Sequence, residues 1–328
     1  MKVFVNIPKG FRNDSFITER VRKRLEAVVE VAFNTESEPL RGEKLKKELV
    51  GFDAVITGWG QPLIKKEDLE TVKLIAHTGG TVGGIVDLGV FDTDIIVLSG
   101  NQHYAQSVAE GVLAYMLYGL RKMGKYTKEI KDGIWTWDAD TEGLLDQSIG
   151  IVSLGAISSR LIPILKMFTD DIRVYSTHPD EKIAEKMGFC YASLEEIFAE
   201  CKIVSVHTAK NDETYHMINM RHFDLLRDGS LFINTSRGPV IDEDALIETL
   251  KTKNITAVLD VYNQEPLPKE SELIKLDNAI LFPHMAGPTY DRREMITLKL
   301  VDDIVRFEKG EKLQNIVDKE TALKMTIS

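Results

Sequence analysis

Three residues suited to acid/base and anion chemistry follow three separate apolar runs in the C-terminal half of the chain. Arg237 lies in INTSRGPVIDEDAL, Glu265 in LDVYNQEPLP and His284 in AILFPHMAG. A guanidinium offers a planar fork to a carboxylate, and a histidine beside a carboxylate donates a proton near neutrality. Each residue alone also suits a structural role. Together they suit polarisation of a carbonyl and protonation of its oxygen as a hydride arrives at carbon.

Short β-rich apolar runs alternate with helical patterns along nearly the whole chain. The runs are KVFVNI, DAVITG, LKLIAHTGG, IIVLSG, IGIVSLG, IRVYSTH, IVSVHTA, SLFINTS, TAVLDVY and AILFPH. Runs that are apolar on both faces and separated by helices are typical of parallel α/β sheets. Ligands of such sheets bind at the carboxyl ends of the strands, where the three residues fall.

The length of 328 residues predicts two domains. The amphipathic segment AQSVAEGVLAYMLYGLRKMGKYTKEI predicts a long linker helix between two groups of strands. A second helical pattern, YDRREMITLKLVDDIVRFEKGE, follows the last strand and leaves a tail that can return to the first domain. We expect two Rossmann-like or flavodoxin-like domains, with residues 113–287 inserted into a domain formed by residues 1–112 and 288–328.

Composition excludes several classes of partner. The 41 basic and 51 acidic residues give a net charge of −10, and no basic cluster stands out, so nucleic acid is not expected as the ligand. No apolar run is long enough to span a membrane, and no metal site is expected. Cys190 and Cys201 lack C-x-x-C spacing, and MKVFVNIPKG is too short for a targeting segment. These features favour a reducing cytoplasm.

The stretch SIGIVSLGAISSRL, residues 148–161, has the outline of a dinucleotide-binding turn, but G-x-G-x-x-G reads Ser153, Gly155 and Ser158. Gly155, where backbone must approach a pyrophosphate, is present. Ser153 is expected to strain the turn, since a left-handed conformation costs a non-glycine residue about 1–2 kcal/mol. The Ser158 hydroxyl is expected to bond back to the helix. We therefore expect a weakened or reshaped site, not an abolished one.

The segments NTSRGPVIDEDAL, LDVYNQEPLP and FPHMAGPT closely resemble, in order and spacing, the three signature segments of the NAD(P)-dependent D-isomer-specific 2-hydroxyacid dehydrogenases. LKLIAHTGGTVGGIVD resembles the family's substrate-carboxylate loop, SVAEGVLAYML its linker helix and LLDQSIGIVSLGAI its cofactor turn. The likeness covers nearly the whole chain. It implies a homodimeric oxidoreductase that transfers a hydride between a nicotinamide cofactor and a small D-2-hydroxy acid or 2-keto acid. Residues 113–287 then form the dinucleotide-binding domain, and residues 1–112 with 288–328 the substrate-binding domain.

The resemblance also implies a role for each matching position. Arg237 binds the carboxylate and carbonyl of the 2-keto acid, His284 is the acid/base, and Glu265 orients it. Substrate-binding positions are Thr78, Gly79 and Gly80, together with Arg237 and His284. The cofactor-binding positions are Ser153, Gly155, Ala156, Ile157, Ser176, Thr177, His178, His207, Thr208, Thr235, Ser236 and Asp260.

The choice between NADP(H) and NAD(H) depends on the end of IRVYSTHPD. NAD-specific enzymes place an acidic residue there, on the ribose 2′-hydroxyl, and this chain has Ser176, Thr177 and His178. Without a carboxylate, nothing rejects a 2′-phosphate by charge, so NADP(H) is slightly favoured. The same residues are also compatible with tolerance of either cofactor.

Several alternatives stay open at the level of sequence. Glu265 argues against formate, because formate-oxidising relatives usually have glutamine there, whereas phosphite-oxidising relatives share the Arg, Glu and His pattern. The glycine-poor turn also fits a catalytically weak or inactive paralogue that acts as a dinucleotide-sensing binding protein or co-repressor. Trp135 and Trp137, in GIWTWDAD, are expected in packing or in a dimer interface.

Overall fold

A computed structural model describes residues 1–10 and 14–326 and divides the chain into two compact units. Residues 1–105 and 288–328 form the first unit, and residues 106–287 form the second. The sequence places the boundary between residues 112 and 113, and the compact units are divided between residues 105 and 106. Both positions fall within one continuous helix, Asn101–Leu120. The apolar pattern of that helix marks no break, so the sequence carries no local signal for the division.

The helices and strands alternate along most of the chain. In order they are β1 (Lys2–Val5), α1 (Glu19–Glu26), β2 (Glu30–Phe33), α2 (Gly42–Glu48), β3 (Ala54–Thr57), β4 (Leu74–His77), β5 (Ile96–Ser99), α3 (Asn101–Leu120), α4 (Met123–Lys131), β6 (Ile149–Val152), α5 (Ala156–Leu165), β7 (Ile172–Tyr175), α6 (Glu181–Met187), β8 (Cys190–Tyr191), α7 (Leu194–Glu200), β9 (Ile203–Val206), α8 (Met220–Phe223), β10 (Leu231–Asn234), α9 (Glu243–Thr252), β11 (Thr256–Leu259), β12 (Ala279–Leu281), α10 (Tyr290–Lys309) and α11 (Lys319–Lys324).

The first unit is built on a five-stranded parallel sheet in the order β2-β1-β3-β4-β5. Successive side chains of a strand point to opposite faces, so Val3 and Phe4 of β1 enter different cores. Val3 packs in a cluster with Leu25 of α1 and Leu300 of α10. Phe4 packs in a cluster that includes Leu45 of α2. Helices therefore cover both faces of the sheet.

The C-terminal tail is anchored to the first unit, as the sequence pattern predicts. Ile316 forms a bridge with Leu98 of β5, and the Val317 N–H donates to the Val97 carbonyl oxygen at 2.8 Å. The buried Asp303 carboxylate of α10 accepts the N–H groups of residues 314 and 315. Hydrogen bonds to a buried carboxylate satisfy the charge and fix the course of the tail.

The second unit contains a seven-stranded parallel sheet in the order β12-β11-β10-β9-β6-β7-β8. Strands β6, β9 and β10 are buried at every position, which explains their uninterrupted apolar sequences. The strand order reverses between β6 and β9, and ligands of doubly wound sheets bind at such a point. The prediction of two parallel α/β domains is confirmed.

The structure differs from the sequence-based expectation at three elements. Strands β2 and β8 were not predicted, because each is a short strand at a sheet edge and lacks a long apolar run. The long linker helix is divided into α3 and α4. At Lys122 the backbone turns left-handed, with φ 46°, and its N–H donates to the Gly119 carbonyl oxygen at 3.0 Å. This closes α3 before α4 begins.

The described part of the chain has neither a membrane-spanning helix nor a cluster of metal-binding side chains. No helix within residues 1–10 and 14–326 is long and apolar enough to cross a membrane. The longest helices, α3 and α10, have 20 residues each, and charged side chains recur along α10. In the same residues, no three His, Cys, Asp or Glu side chains are grouped to hold a metal ion.

Candidate active site

Arg237 lies in the loop after β10, and the last residue of that strand fixes the loop. Asn234 Oδ1 accepts the N–H and the hydroxyl of Ser236 at 3.0 and 2.7 Å, and Asn234 Nδ2 donates to the Arg237 carbonyl oxygen at 3.2 Å. The Arg237 guanidinium donates to the Ser236 carbonyl oxygen at 2.7 Å. Burial lowers the pKa of Arg237, while Glu265 acts in the opposite direction. An arginine nevertheless remains cationic near neutrality.

Gly238 lets the Arg237 loop lie directly against the loop after β11. A Cβ at this position would lie 2.0 Å from the carbonyl carbon of Tyr262 and 2.3 Å from the backbone nitrogen of Asn263. Both distances are far below van der Waals contact, so only glycine permits this approach. The loop carrying Arg237 and the loop leading to Glu265 are therefore held side by side.

Glu265 is held by one hydrogen bond on each carboxylate oxygen. Oε1 accepts the Tyr262 N–H at 3.1 Å, and Oε2 lies 2.7 Å from His284 Nδ1. Burial acts to raise the pKa of Glu265. This effect is outweighed by the hydrogen bond and charge of His284, by the Tyr262 N–H and by Arg237, so the pKa lies below its usual value. The carboxyl group is therefore ionised near neutrality and serves as an acceptor.

His284 follows β12 and has a left-handed backbone, with φ 52°. Its side chain is 45% exposed, so the ring is accessible. Because ionised Glu265 only accepts hydrogen bonds, Nδ1 must carry the proton in the pair. Nε2 is then the nitrogen that gains or loses a proton, which is the arrangement that an acid/base histidine needs.

The sheet order brings the three residues together. Strands β10, β11 and β12 are consecutive parallel neighbours, so their carboxyl ends lie at one edge. Arg237, Glu265 and His284 follow these ends in turn. Glu265 is hydrogen-bonded to His284 and interacts electrostatically with Arg237. The convergence expected from strand-end positions is present in the structure.

The turn after β6 has the strained conformation expected at its first glycine position. Ser153 has φ 82°, and its N–H donates to the Tyr175 carbonyl oxygen at 2.9 Å. The hydroxyl of fully buried Ser158 donates to the Ser153 carbonyl oxygen at 2.6 Å. The hydroxyl therefore bonds to the turn before α5 and not to the helix itself.

Gly155 is the N-cap of α5, and no side chain caps that helix. Apart from Gly155 and its two chain neighbours, no atom of the described residues lies within 4 Å of the place where a Cβ at Gly155 would be. Gly155 and Ala156 are exposed. Ile157, next in the first turn, is half-buried. An uncapped helix N-terminus with open space in front of it suits a phosphate group. The turn thus fits the pyrophosphate of a dinucleotide.

Two polar atoms in the loops after β9 and β10 are buried without a hydrogen bond to any described residue: His207 Nδ1 and Thr235 Oγ1. His207 Nε2 contacts Ser205 Oγ at 2.9 Å, and burial lowers the pKa of His207 to about 4, so the ring is neutral. Thr208 and Ser236, beside them, are also buried. Unpaired buried polar atoms are costly unless a ligand pairs them. These loops therefore also fit a polar cofactor.

The turn after β7 carries the three residues expected near the ribose. Ser176 Oγ accepts the His178 N–H at 3.1 Å, and Thr177 Oγ1 lies 2.9 Å from His178 Nδ1. Thr177 and His178 are exposed and Ser176 is half-buried. Residues 176–178 offer hydroxyl and imidazole groups and no carboxylate. The first carboxylate after them, Asp180, caps α6 by accepting the Lys182 N–H at 2.9 Å.

The predicted substrate loop lies in the first unit, after β4. The Thr78 N–H donates to the Thr57 carbonyl oxygen at 2.8 Å, and Thr78 Oγ1 is buried without a hydrogen bond to any described residue. Gly79 packs on His77, since a Cβ there would lie 2.3 Å from the His77 ring. A Cβ at Gly80 would lie 3.0 Å from the ring of Tyr104. A side chain at position 79 would therefore require the His77 ring to move, and one at position 80 would require a shift of a few tenths of an ångström at the Tyr104 ring.

Comparison with known proteins decides the family. A family model described as "D-isomer specific 2-hydroxyacid dehydrogenase, NAD binding domain" matches residues 113–286. The chain belongs to this dehydrogenase family. Glyoxylate/hydroxypyruvate reductase B of Enterobacter sp. (strain 638) is 30% identical over 70% of this chain and 74% of its own length.

Other dehydrogenases extend the similarity. D-3-phosphoglycerate dehydrogenase of Archaeoglobus fulgidus is 26% identical over 84% of this chain. The match covers 53% of that protein, so this chain spans about half the length of that relative. Among solved structures, D-lactate dehydrogenase from Escherichia coli has a TM-score of 0.74 at 25% identity, covering 97% of this chain and 100% of its own. The fold and the nicotinamide-binding domain are thus those of the dehydrogenase family.

In this family member, Asp260 lies after β11, and protein groups occupy both of its oxygens. Oδ1 accepts the Tyr115 hydroxyl at 2.9 Å and the Met285 N–H at 2.8 Å, and Oδ2 accepts the Ala286 N–H at 2.9 Å. Asp260 is fully buried. The sequence singled out Asp260 but not Tyr115, because a tyrosine on an apolar helix face has the pattern of a core residue.

Proposed function

We propose that this chain is an NAD(P)-dependent dehydrogenase that interconverts small 2-keto acids and D-2-hydroxy acids. The observation that carries the proposal is the 2.7 Å hydrogen bond between His284 Nδ1 and Glu265, at the sheet edge where Arg237 also lies. Membership of the dehydrogenase family supports it. A protein that only binds a dinucleotide needs no histidine with one nitrogen fixed by a carboxylate and the other left for proton transfer.

In the proposed reduction, each side chain has one task. A bound nicotinamide supplies the hydride that reaches the carbonyl carbon. Arg237 pairs with the substrate carboxylate and polarises the carbonyl. His284 donates a proton from Nε2 to the carbonyl oxygen, and Glu265 stabilises the imidazolium through Nδ1 before the transfer. In oxidation, Nε2 takes the hydroxyl proton instead.

We assign the cofactor to the loops that follow β6, β7, β9, β10 and β11. The turn around Gly155 would hold the pyrophosphate, and Ser176 with its neighbours would hold the ribose. The remaining proposed contacts are Ser153, Ala156, Ile157, Thr177, His178, His207, Thr208, Thr235, Ser236 and Asp260. The lack of a carboxylate beside Ser176 supports a slight preference for NADP(H).

In the first unit, we assign the backbone of residues 78–80 to the substrate carboxylate. Gly79 and Gly80 present peptide N–H groups without side chains, and such groups bind anions. The buried, unpaired Thr78 hydroxyl supports a polar ligand at this loop. The side chain of the substrate is the part on which relatives differ, as the names glyoxylate reductase and phosphoglycerate dehydrogenase indicate.

Initial rates with NADPH and NADH against glyoxylate, hydroxypyruvate, pyruvate, phenylpyruvate and branched 2-keto acids test the proposal. We expect turnover with at least one acid, and we expect His284→Gln to lower kcat by roughly 10²–10⁴-fold. NADPH binding, followed by fluorescence, should be unchanged. His216→Gln is the matched control, because His216 also has a positive φ, 49°. It should keep the wild-type rate.

Two results would contradict this proposal in different ways. A folded wild-type protein that binds NADPH but turns over none of these acids would support the dinucleotide-sensing alternative. Substantial kcat in the His284→Gln variant would show that another group supplies the proton.

We also propose that the chain forms a homodimer through the segment after α3. Helix α4 has no buried residue, and Trp135 and Trp137 behind it are 67% and 86% exposed. Adjacent exposed tryptophans are unusual on a monomer surface and typical of an interface. Sedimentation equilibrium should give twice the chain mass for the wild type and one chain mass for Trp135→Ser/Trp137→Ser. Leu323→Ser, at a residue 59% exposed, is the control. A dimeric double variant would refute this interface.

A further inference from the structure

Tyr115 of α3 is linked to the segment that carries His284 in two ways, directly through Phe282 and indirectly through Asp260. The Tyr115 hydroxyl donates to Asp260 Oδ1 at 2.9 Å. Its ring is stacked on Phe282, with centroids 4.3 Å apart and planes 9° apart. Phe282 lies two positions before His284, so the ring of Tyr115 supports the N-terminal side of this segment.

Asp260 links the Tyr115 hydroxyl to the two residues that follow His284. Its carboxylate accepts the N–H groups of Met285 and Ala286 at 2.8 and 2.9 Å. Tyr115 and Met285 share the same oxygen, Oδ1. The hydroxyl, the carboxylate and the two peptide groups therefore form one buried network directly after His284.

The backbone of His284 needs support from its surroundings. With φ 52° it is in the left-handed region, which a residue with a Cβ does not favour unless neighbouring contacts impose it. Gly111, one helical turn before Tyr115, shows how closely α3 approaches: a Cβ there would lie 2.9 Å from the Ala286 carbonyl oxygen. Helix α3 thus lies directly on the segment whose conformation sets the position of the imidazole.

We propose that Tyr115 is a positioning residue for His284, acting through Asp260 and Phe282; the inference rests on the proposed function. Burial raises the pKa of Tyr115 well above its usual value, so its hydroxyl remains a hydrogen-bond donor over the working pH range. Without that donor, Asp260 keeps only its backbone partners. The segment after β12 then has one fixed contact fewer, and the imidazole is less closely held against Glu265.

Tyr115→Phe tests this directly, because it removes the hydroxyl and keeps the ring on Phe282. Tyr118→Phe is the matched control: Tyr118 meets the same Phe282 ring edge-on, at 5.7 Å, from the same helix. We expect Tyr115→Phe to lower kcat by about tenfold, since small displacements of a reacting group are costly. Tyr118→Phe should behave as the wild type.

A second measurement does not depend on turnover. The proton on His284 Nδ1 is observed by NMR in the free protein and assigned by its loss in His284→Gln. We expect faster exchange of this proton with water in Tyr115→Phe than in the wild type or Tyr118→Phe. Equal exchange in all three proteins would overturn the positioning role, whether or not the chain is an active dehydrogenase. A wild type without turnover would instead refute the proposed function, and the exchange result would still decide the role of Tyr115.

Discussion

Replacement of Gly155 by alanine separates cofactor binding from stability. Gly155 precedes α5 with φ −132° and ψ −162°, an extended conformation open to any residue. In the described part of the chain, no atom beyond Gly155 and its two neighbours lies within 4 Å of the added methyl group. The fold therefore has room for alanine, whereas a pyrophosphate that approaches the start of α5 meets the methyl group.

The expected magnitudes follow from this geometry. Glycine to alanine at a permitted conformation stabilises a protein by about 0.4–1 kcal/mol through the unfolded state. Alanine is also a poorer N-cap than glycine by about the same amount, so the two effects nearly cancel. Loss of one hydrogen bond from a peptide N–H to a charged phosphate costs about 1.5–3 kcal/mol. That loss corresponds to a Kd raised by roughly 10- to 100-fold. The variant should thus have a free energy of unfolding close to that of the wild type and bind the cofactor much more weakly.

Urea denaturation and NADPH fluorescence titration measure the two effects separately. Gly143→Ala is the control, because the nearest atom to its added Cβ is 4.0 Å away and the residue lies outside the proposed site. It should leave the Kd unchanged. An unchanged Kd in Gly155→Ala as well would refute the assignment of this turn to the pyrophosphate.

Two further predictions concern the ribose turn and the acidic partner of His284. Ser176→Asp should shift the ratio of kcat/KM toward NADH, because a carboxylate repels a 2′-phosphate and accepts a 2′-hydroxyl; an unchanged ratio would contradict the ribose assignment. The pKa of Glu265 is depressed in the folded protein, so its stabilising effect is fully present above about pH 4.3 and is lost as pH falls through the folded-state value. The difference in unfolding free energy between the wild type and Glu265→Gln should therefore shrink below that pH, and a constant difference would contradict the pairing with His284.

The sequence predicted the parallel sheets and the candidate triad because both have local signatures. Strands buried on both faces need continuous apolar runs, and β6, β9 and β10 are buried throughout. Arg237, Glu265 and His284 follow the apolar runs of β10, β11 and β12 within six positions. Strands β2 and β8 lack that signature, since β2 has no fully buried residue and β8 has only two residues.

Periodicity by itself establishes which residues are buried and where strands end, because these depend on neighbours a few positions away. It does not establish strand order, so only the tertiary structure places β10, β11 and β12 side by side and joins His284 to Glu265. The hydrogen bond between Tyr115 and Asp260 links residues 145 positions apart. The hydrogen bond from Ser158 to the Ser153 carbonyl oxygen depends on the path of the turn between them. Packing brings such groups within hydrogen-bonding distance, and no local pattern encodes that distance.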